Sequence, residues 1–338
     1  MAAPGERVGR GDYGTRRATP RGAGPEMEGA RAVGSTFGRR FPRRRTVLQR
    51  RRNRRLFPFI AVAPAVVLVV AIMFFPIGAT VYHSFTAWDG QVSKVIGITN
   101  FRLLAQSSVM RSVFMNSVIF LLSVPAIVLA SLLAAVLIYE RVLGWRTFRI
   151  LFFIPGVLSP VVVGELFSTF VLPNGLANLP LRWLGLHPIG WLTAPWPARI
   201  VVMAALIWSS FGFGMIIILS AMSTIDPSLY DAALIDGASW WRRLRSVTLP
   251  LVSESLQFLS VINVIYTFTA LFSFVFVITS GGPGFSTTTI DYYTYQTTFE
   301  NGQFGYGSAL ALVLFIIVLA LTIAQFKLMP KQELQQGK

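Results

Sequence analysis

Polar side chains that could bind a ligand lie inside long apolar runs of this sequence. Asn263 and Thr267 are four residues apart, so one face of a helix carries both, and Tyr266 follows Asn263 at a spacing of three. Amide, hydroxyl and aromatic groups in this pattern suit a molecule rich in hydroxyl groups, such as a sugar, because the ring can cover its C–H faces. The alternative is that these side chains hold helices together, at about 0.6 kcal/mol each.

Other small or polar residues fall at the same depth of neighbouring apolar runs. A helix rises about 1.5 Å per residue, and counting from the ends of each run brings four more residues to the level of Asn263. We therefore expect one polar surface near the middle of the membrane, formed with Gly156, Ser159, Ser209 and Ser210.

Glu165 is the only carboxylate in the interior of a predicted membrane span. An acid in the hydrocarbon region is costly unless it faces water or a partner, so a functional role is the first hypothesis. The alternative is an acid near the outer interface that hydrogen-bonds to the next helix.

The sequence lacks the residue patterns of an enzyme. It has no cysteine, its two histidines, His83 and His187, are far apart, and no nucleophile lies at catalytic spacing from a base. The turn sequence Gly281-Gly-Pro-Gly284 lacks the Lys-Ser/Thr ending of a phosphate-binding loop. We therefore expect no catalytic residues, no metal site and no cofactor, and any ATP must be bound by another chain.

Composition predicts a membrane protein. Hydrophobic residues make up 54% of the 338 residues and charged residues 13%, which does not suit a single water-soluble core of this length. About 20 apolar residues cross a bilayer as a helix, and six runs are long enough. The expected fold class is all-α, a polytopic membrane protein with about six transmembrane helices, at about residues 57–84, 112–139, 148–172, 198–223, 254–280 and 305–329.

The net charge of +16 is concentrated in residues 1–55, which hold 16 arginines and four acidic residues. This segment is rich in Gly, Pro and Arg and has little apolar periodicity, so we expect a disordered cytoplasmic tail. Its last arginines precede the first apolar run, where they fix orientation and attract anionic membrane lipids. This distribution argues against nucleic acid as the partner.

Positive charge also sets the orientation of the spans. With both termini in the cytoplasm, the cytoplasmic side holds 25 Lys and Arg and the outer side holds five. The transmembrane domain then covers 56–330, and 331–338 form a cytoplasmic C-terminal tail. The expected location is a membrane that the chain crosses several times.

The segment 224–252, which this orientation places in the cytoplasm, has helix signals that a simple connection would not need. Asp226 is a candidate N-cap followed by Pro227, and Asp236-Gly237 breaks the helix before a second amphipathic piece. Small residues around the break leave backbone that another protein can approach closely. The segment is expected to dock a partner.

The same segment resembles the coupling loop of bacterial ATP-binding-cassette importer permeases, whose pattern is Glu-Ala-Ala-x-x-Asp-Gly-Ala followed by Leu-Pro. Asp231 stands here where Glu is usual, and Leu244 where Phe is usual. Ile278 to Gly284 and the later Tyr292, Tyr295 and Phe299 resemble the maltose-type carbohydrate permeases. The matching loop residues are Asp231, Ala232, Ala233, Asp236, Gly237, Ala238, Leu249 and Pro250.

This resemblance implies a maltose-type (type I) importer permease fold, a location in the bacterial inner membrane and a role in a larger complex. The implied partners are a second permease subunit, a dimer of ATP-binding-cassette ATPases, an extracytoplasmic solute-binding protein and a neutral carbohydrate. Five residues align with positions that contact sugar in the maltose-type permease, although most side chains differ there: Ser209, Ser210, Phe213, Asn263 and Thr267.

Two other functions stay open from the residues alone. An ion-coupled secondary transporter would be expected to have inverted repeats and several buried ionisable residues. A membrane scaffold that recruits a cytoplasmic partner would not need polar residues at the midplane. The outer segment 173–197 carries Trp183, Trp191 and Trp196, which are either interfacial anchors or a contact for the solute-binding protein.

Overall fold

The computed structural model of the protein describes residues 58–59 and 61–328. The predicted tails 1–55 and 331–338 lie outside the described residues. The elements are almost entirely helical, as the composition predicts, and their one sheet within the described residues is a two-stranded antiparallel hairpin.

The first half of the chain begins with a long apolar helix and ends with two short ones. Thr86 pairs with Val95 in the hairpin that follows the first helix. The elements are α1 (Ala61–Ser84), β1 (Thr86–Trp88), β2 (Ser93–Val95), α2 (Thr99–Gln106), α3 (Ser108–Phe120), α4 (Ser123–Tyr139), α5 (Trp145–Val157) and α6 (Pro160–Phe170).

The second half contains the longest helix and the segment predicted to dock a partner. Single π-helical turns, Leu244–Thr248 and Gln296–Glu300, continue two of its short helices. The elements are α7 (Leu179–Trp183), α8 (Pro195–Met222), α9 (Pro227–Ile235), α10 (Trp240–Arg243), α11 (Ser253–Thr269), α12 (Phe272–Ile278), α13 (Ile290–Tyr295) and α14 (Phe304–Leu328).

Four of the six predicted spans are long apolar helices: Ala61–Ser84, Ser108–Tyr139, Pro195–Met222 and Phe304–Lys327. The other two are broken, and the count reaches six when each bent helix pair is taken as one span. The predicted segment 148–172 is not one straight helix, because α5 and α6 are bent by 102° against each other. Ser159 is extended there (ψ 140°), as expected for a residue before proline.

The fifth predicted segment, 254–280, is also divided. Helix α11 ends at Thr269 and α12 begins at Phe272. The helix Trp240–Leu251 precedes α11 and is bent by 68° against it. The docking segment and the fifth span are therefore joined helix to helix, with a single residue between them.

The core is centred on the helix pair α4 and α8, which run parallel: Ser131 lies near Phe211, and Val136 and Tyr139 lie near Met222. Glycines of α8 allow close contact with α4 and with α5, as is common between membrane helices. A Cβ added at Gly212 of α8 would overlap the Phe152 carbonyl oxygen of α5, and one at Gly214 would overlap the Ser131 hydroxyl of α4. Backbone is thus packed directly against backbone where α5 crosses α8.

Candidate functional site

The segment 224–252 folds as the sequence predicts, into a helical hairpin. The Asp226 carboxylate accepts a hydrogen bond from the Ser228 amide at 2.9 Å, which caps α9 and lowers the pKa of Asp226. Gly237 ends the helix in the left-handed conformation (φ 71°), and the Ala238 amide donates to the Ala233 carbonyl at 2.9 Å. This is the glycine-terminated C-cap expected at such a helix end.

The hairpin is exposed, although it carries large apolar side chains. No residue of α9 or α10 is buried in the chain, and Ile235 is 86% exposed and Trp241 63%. A Cβ added at Gly237 would meet nothing within 4 Å. An exposed surface of apolar and small residues is typical of a protein interface. The predicted docking residues Asp231, Ala232, Asp236, Gly237 and Pro250 are exposed, and Ala233, Ala238 and Leu249 are half-buried.

The base of the hairpin is fixed to the bundle. The Tyr230 and Thr248 hydroxyl groups are 3.1 Å apart and form a hydrogen bond. Leu244, which stands at the usual Phe position, is buried in a core cluster with Met222 and Ile225. The base of the hairpin is therefore joined to the same core cluster as the end of α8.

The structure brings together part of the predicted midplane set. A Cβ added at Gly156 would lie 3.4 Å from the Ser209 carbonyl oxygen and 3.8 Å from the Phe213 amide nitrogen, so these residues of α5 and α8 are neighbours. Phe213 is 54% exposed, and Ser209 and Ser210 are half-buried. An aromatic ring with nearby hydroxyl groups is thus accessible on this side of α8.

Asn263 and Thr267 are placed differently. They are 5% and 3% exposed, and each donates a hydrogen bond to its own helix, Asn263 to the Leu259 carbonyl and Thr267 to the Asn263 carbonyl, both at 2.8 Å. Tyr266 is half-buried against a core cluster. Contact of Asn263 and Thr267 with a ligand stays a prediction. In this arrangement, a ligand could bind the two side chains only if these hydrogen bonds were broken.

Ser159 and Glu165 are both exposed. Ser159 lies at the break between α5 and α6, and Glu165 is on α6. Gly164, the residue before Glu165, packs against α12, with Val277 Cβ 3.0 Å from an added Cβ. Glu165 therefore lies beside the contact between α6 and α12 and is accessible on the surface of the chain.

The sequence analysis missed a buried acid, Asp291. Its carboxylate accepts hydrogen bonds from the Phe272 amide at 2.8 Å and the Tyr292 amide at 2.9 Å, and from the Thr289 hydroxyl. Burial raises the pKa of Asp291, and these hydrogen bonds oppose the rise. The Asp291 carboxylate therefore accepts a hydrogen bond from the first backbone amide of α12. The sequence gives no signal of the break between α11 and α12 that makes this amide available.

Arg199 was counted only as an outer positive charge, yet it joins three parts of the outer side. Its Nε donates to the Ser286 carbonyl at 2.8 Å and its Nη2 to the Asn116 side-chain oxygen at 3.0 Å. Asn116 in turn donates to the Phe285 and Thr288 carbonyls. The start of α8, helix α3 and the segment 285–288 are thereby held together.

The outer tryptophans have separate roles. Trp191 donates from Nε1 to the Asn178 side-chain oxygen at 3.2 Å and is half-buried. Trp183 and Trp196 are 81% and 58% exposed. Of these three tryptophans, Trp183 and Trp196 are therefore accessible to a membrane interface or a partner.

The Gly281–Gly284 sequence forms a turn, as predicted, and two of its carbonyl groups accept hydrogen bonds from nearby threonines. The Thr287 hydroxyl donates to the Gly282 carbonyl at 2.9 Å and the Thr288 hydroxyl to the Gly281 carbonyl at 3.0 Å. Its carbonyl groups are therefore engaged by threonine. Across 58–59 and 61–328, no three His, Asp or Glu side chains come together as metal ligands.

Comparison with known proteins gives a consistent result. Residues 95–332 match the model of the family described as "Binding-protein-dependent transport system inner membrane component". The lactose transport system permease protein LacF of Rhizobium radiobacter is 33% identical over 79% of this chain and 92% of its own length. A probable ABC transporter permease protein of Pyrococcus horikoshii is 32% identical over 77% of this chain and 91% of its own.

Solved structures show the same fold. A chain of a bacterial alginate ABC transporter, crystallised in complex with an alginate pentasaccharide-bound periplasmic protein, has a TM-score of 0.72 and 23% identity. The match covers 81% of this chain and 93% of that chain. The hairpin α9–α10 and the broken spans therefore belong to an importer permease fold.

Proposed function

Because the chain belongs to the family of binding-protein-dependent transport system inner membrane components, we propose that it is the permease subunit of an ABC importer that carries a neutral carbohydrate. It forms the translocation path with a second permease subunit. Energy comes from a separate ATPase dimer, and the substrate from an extracytoplasmic solute-binding protein.

The observation that carries this proposal is the hairpin α9–α10, whose apolar tip is exposed and whose base is bonded to the bundle. Ile235 and Trp241 offer a hydrophobic contact surface, and Gly237 lets a partner approach the backbone. The Tyr230–Thr248 hydrogen bond joins this surface to the helix that leads into α11. Closure of an ATPase dimer against the tip would move α11 and its neighbours as rigid elements.

The substrate assignment rests on the midplane residues and on the name of a relative. LacF, which is 33% identical to this chain, is named for lactose, a neutral sugar. We place the sugar against Phe213, Gly156, Ser209 and Ser210, where an exposed ring and hydroxyl groups are adjacent. Ser159, Glu165 and Tyr266 extend this surface, and Asn263 and Thr267 join it when α11 moves.

The remaining assignments follow from the same proposal. ATP hydrolysis occurs in the ATPase subunit, and this chain is not an enzyme. Both termini face the cytoplasm, as the charge distribution predicts, and the Arg-rich residues 1–55 anchor that orientation. Trp183 and Trp196 face the solute-binding protein or the outer interface.

Purification of the tagged full-length chain from its native membrane tests the proposal. We expect an ATPase and a second permease to copurify, and uptake of sugar by the reconstituted complex to require ATP. Ile235→Asp places a charge on the exposed tip and should remove the ATPase, whereas Leu184→Asp, at an outer position that is 73% exposed, should not. Uptake driven by an ion gradient without ATP would contradict the proposal and favour a secondary transporter.

A further inference from the structure

A cavity of about 660 Å³ opens beside the base of the hairpin α9–α10. It lies between the C-terminal end of α4, the start of α5 and the last turns of α8, and three aliphatic side chains complete its wall. The cavity is lined in part by polar and charged side chains and lies next to the apolar helices of the bundle. The polar and aromatic lining consists of Tyr139, Arg141, Trp145, Arg149, Ser220 and Ser223.

The cavity is positively charged. Arg141 and Arg149 are both exposed, and none of the residues that line the cavity is a carboxylate. Glu140, which is next to Arg141 in sequence, lines a different cleft together with Arg243. Arg141 also takes a left-handed backbone conformation (φ 52°), which is uncommon for a residue with a Cβ. Two guanidinium groups are thus available to one anionic ligand.

The cavity is followed along α5 by an apolar groove. Trp145, Arg149 and Phe152 are spaced by four and three residues, so one face of α5 carries all three. Phe152 lines a groove of about 610 Å³ whose other walls include Leu133 and Trp208, and this groove is almost entirely apolar. A ligand that lies along this face of α5 from its N-terminal end would contact arginine side chains first and apolar side chains next.

We infer that the cavity binds the phosphate headgroup of an anionic phospholipid, with an acyl chain along α5 toward the groove. Guanidinium groups pair with phosphate oxygens through two parallel hydrogen bonds, and Ser220 adds a hydroxyl donor, whereas the Ser223 hydroxyl donates to the Leu219 carbonyl. Trp145 and Tyr139 are residue types that favour the level of lipid headgroups. The site does not depend on which solute the protein carries.

Native mass spectrometry of the full-length chain in mild detergent tests this inference. Phosphatidylglycerol and phosphatidylcholine with identical acyl chains are compared as ligands, and sn-glycerol 3-phosphate serves as the soluble source of the same phosphate. We expect retention of phosphatidylglycerol over phosphatidylcholine, without competition from the soluble phosphate. Each arginine near an anionic headgroup contributes about fivefold, so Arg141→Gln/Arg149→Gln should weaken phosphatidylglycerol binding about 30-fold.

A matched variant controls for the loss of charge. Arg102→Gln/Arg111→Gln removes two exposed arginines elsewhere and should leave binding unchanged. Ser220→Phe fills the cavity without changing its charge and should also abolish the preference. Equal binding by the wild type and by both cavity variants would overturn the inference. Competition by the soluble phosphate at the same concentration would show that the ligand is not a lipid.

Discussion

The hydroxyl groups of Tyr230 and Thr248 lie 3.1 Å apart and join the exposed helix α9 to the partly buried π-helical turn that leads toward α11. Thr248 is 3% exposed, so its hydroxyl has little access to water. This hydrogen bond is the direct polar link between the surface proposed to receive the ATPase and the helices proposed to line the path.

The Tyr230–Thr248 pair should couple ATP hydrolysis to transport. Tyr230→Phe leaves the Thr248 hydroxyl without this partner, and we expect the protein to lose about 1–3 kcal/mol of stability. In the assembled complex, sugar uptake per ATP hydrolysed should fall. Both quantities are measured on purified complex, by thermal unfolding and by paired uptake and phosphate-release assays.

The double variant Tyr230→Phe/Thr248→Val separates stability from coupling. Removal of both hydroxyls leaves no unpaired buried group, so stability should return close to that of the wild type. Coupling should stay low because the link is still missing. If coupling recovers together with stability, the hydrogen bond has only a structural role.

Gly237→Asp should abolish uptake while the protein stays in the membrane. A side chain at this position meets open space within the chain, so its effect must come from the docked partner and from the left-handed backbone, which costs about 1–2 kcal/mol for a residue with a Cβ. ATPase copurification and uptake are the measurements.

Gly97→Asp is the matched control for Gly237→Asp. Gly97 is exposed, has φ 61° and also faces open space, so the backbone cost is similar. Gly97→Asp should keep both the ATPase and uptake. Equal loss in the two variants would show that backbone strain, rather than docking, explains the effect at Gly237.

Thr267→Val should lower sugar uptake, and Thr269→Val should not. Both hydroxyls donate to a carbonyl four residues earlier on α11, at 2.8 and 2.9 Å, so each substitution removes the same type of bond. Thr267 is buried and Thr269 is exposed. A substrate hydroxyl left unpaired costs about 1–3 kcal/mol, roughly a tenfold or larger loss of affinity.

Asn263→Leu extends this test. If Asn263 only packs helices, its loss costs about 0.6 kcal/mol and uptake stays near the wild-type rate. If α11 presents it to the sugar, substrate-stimulated ATP hydrolysis falls while the complex still assembles. Wild-type stimulation in both Asn263→Leu and Thr267→Val would remove α11 from the path.

Arg199→Lys should destabilise the outer side. Lysine cannot reproduce the two divergent hydrogen bonds to Ser286 and Asn116, and bonds from charged donors contribute about 1.5–3 kcal/mol. The unfolding temperature should fall. Arg182→Lys is the control, because Arg182 makes one exposed hydrogen bond to the Asn174 carbonyl, and it should change stability by less than about 0.5 kcal/mol.

The sequence predicts the helical class, the apolar segments and the hairpin, because these depend on periodicity and on local signals such as Asp226, Pro227 and Gly237. The break at Ser159 is also local in origin, since Pro160 disfavours helix before it. Its angle could not be predicted, because it depends on packing such as Gly212 against the Phe152 carbonyl.

The direction in which a polar side chain points was harder to predict than its depth along a membrane span. Counting residues brought Gly156 and Ser209 to one level correctly. It could not show that Asn263 and Thr267 bond to their own helix, because a serine, threonine or asparagine in a membrane helix has a carbonyl of its own within reach. Asp291 was missed because its partner is the amide of a distant helix start.

The bend between α5 and α6 has a consequence for biosynthesis. Their lengths of 13 and 11 residues give helices of about 20 and 16 Å, whereas the hydrocarbon core is about 30 Å thick. Neither half can be integrated by the translocon as an autonomous span. The pair rests on α8 and α12, which the ribosome makes later, so its stable insertion must wait for them, and truncation before residue 195 should leave it exposed to membrane proteases.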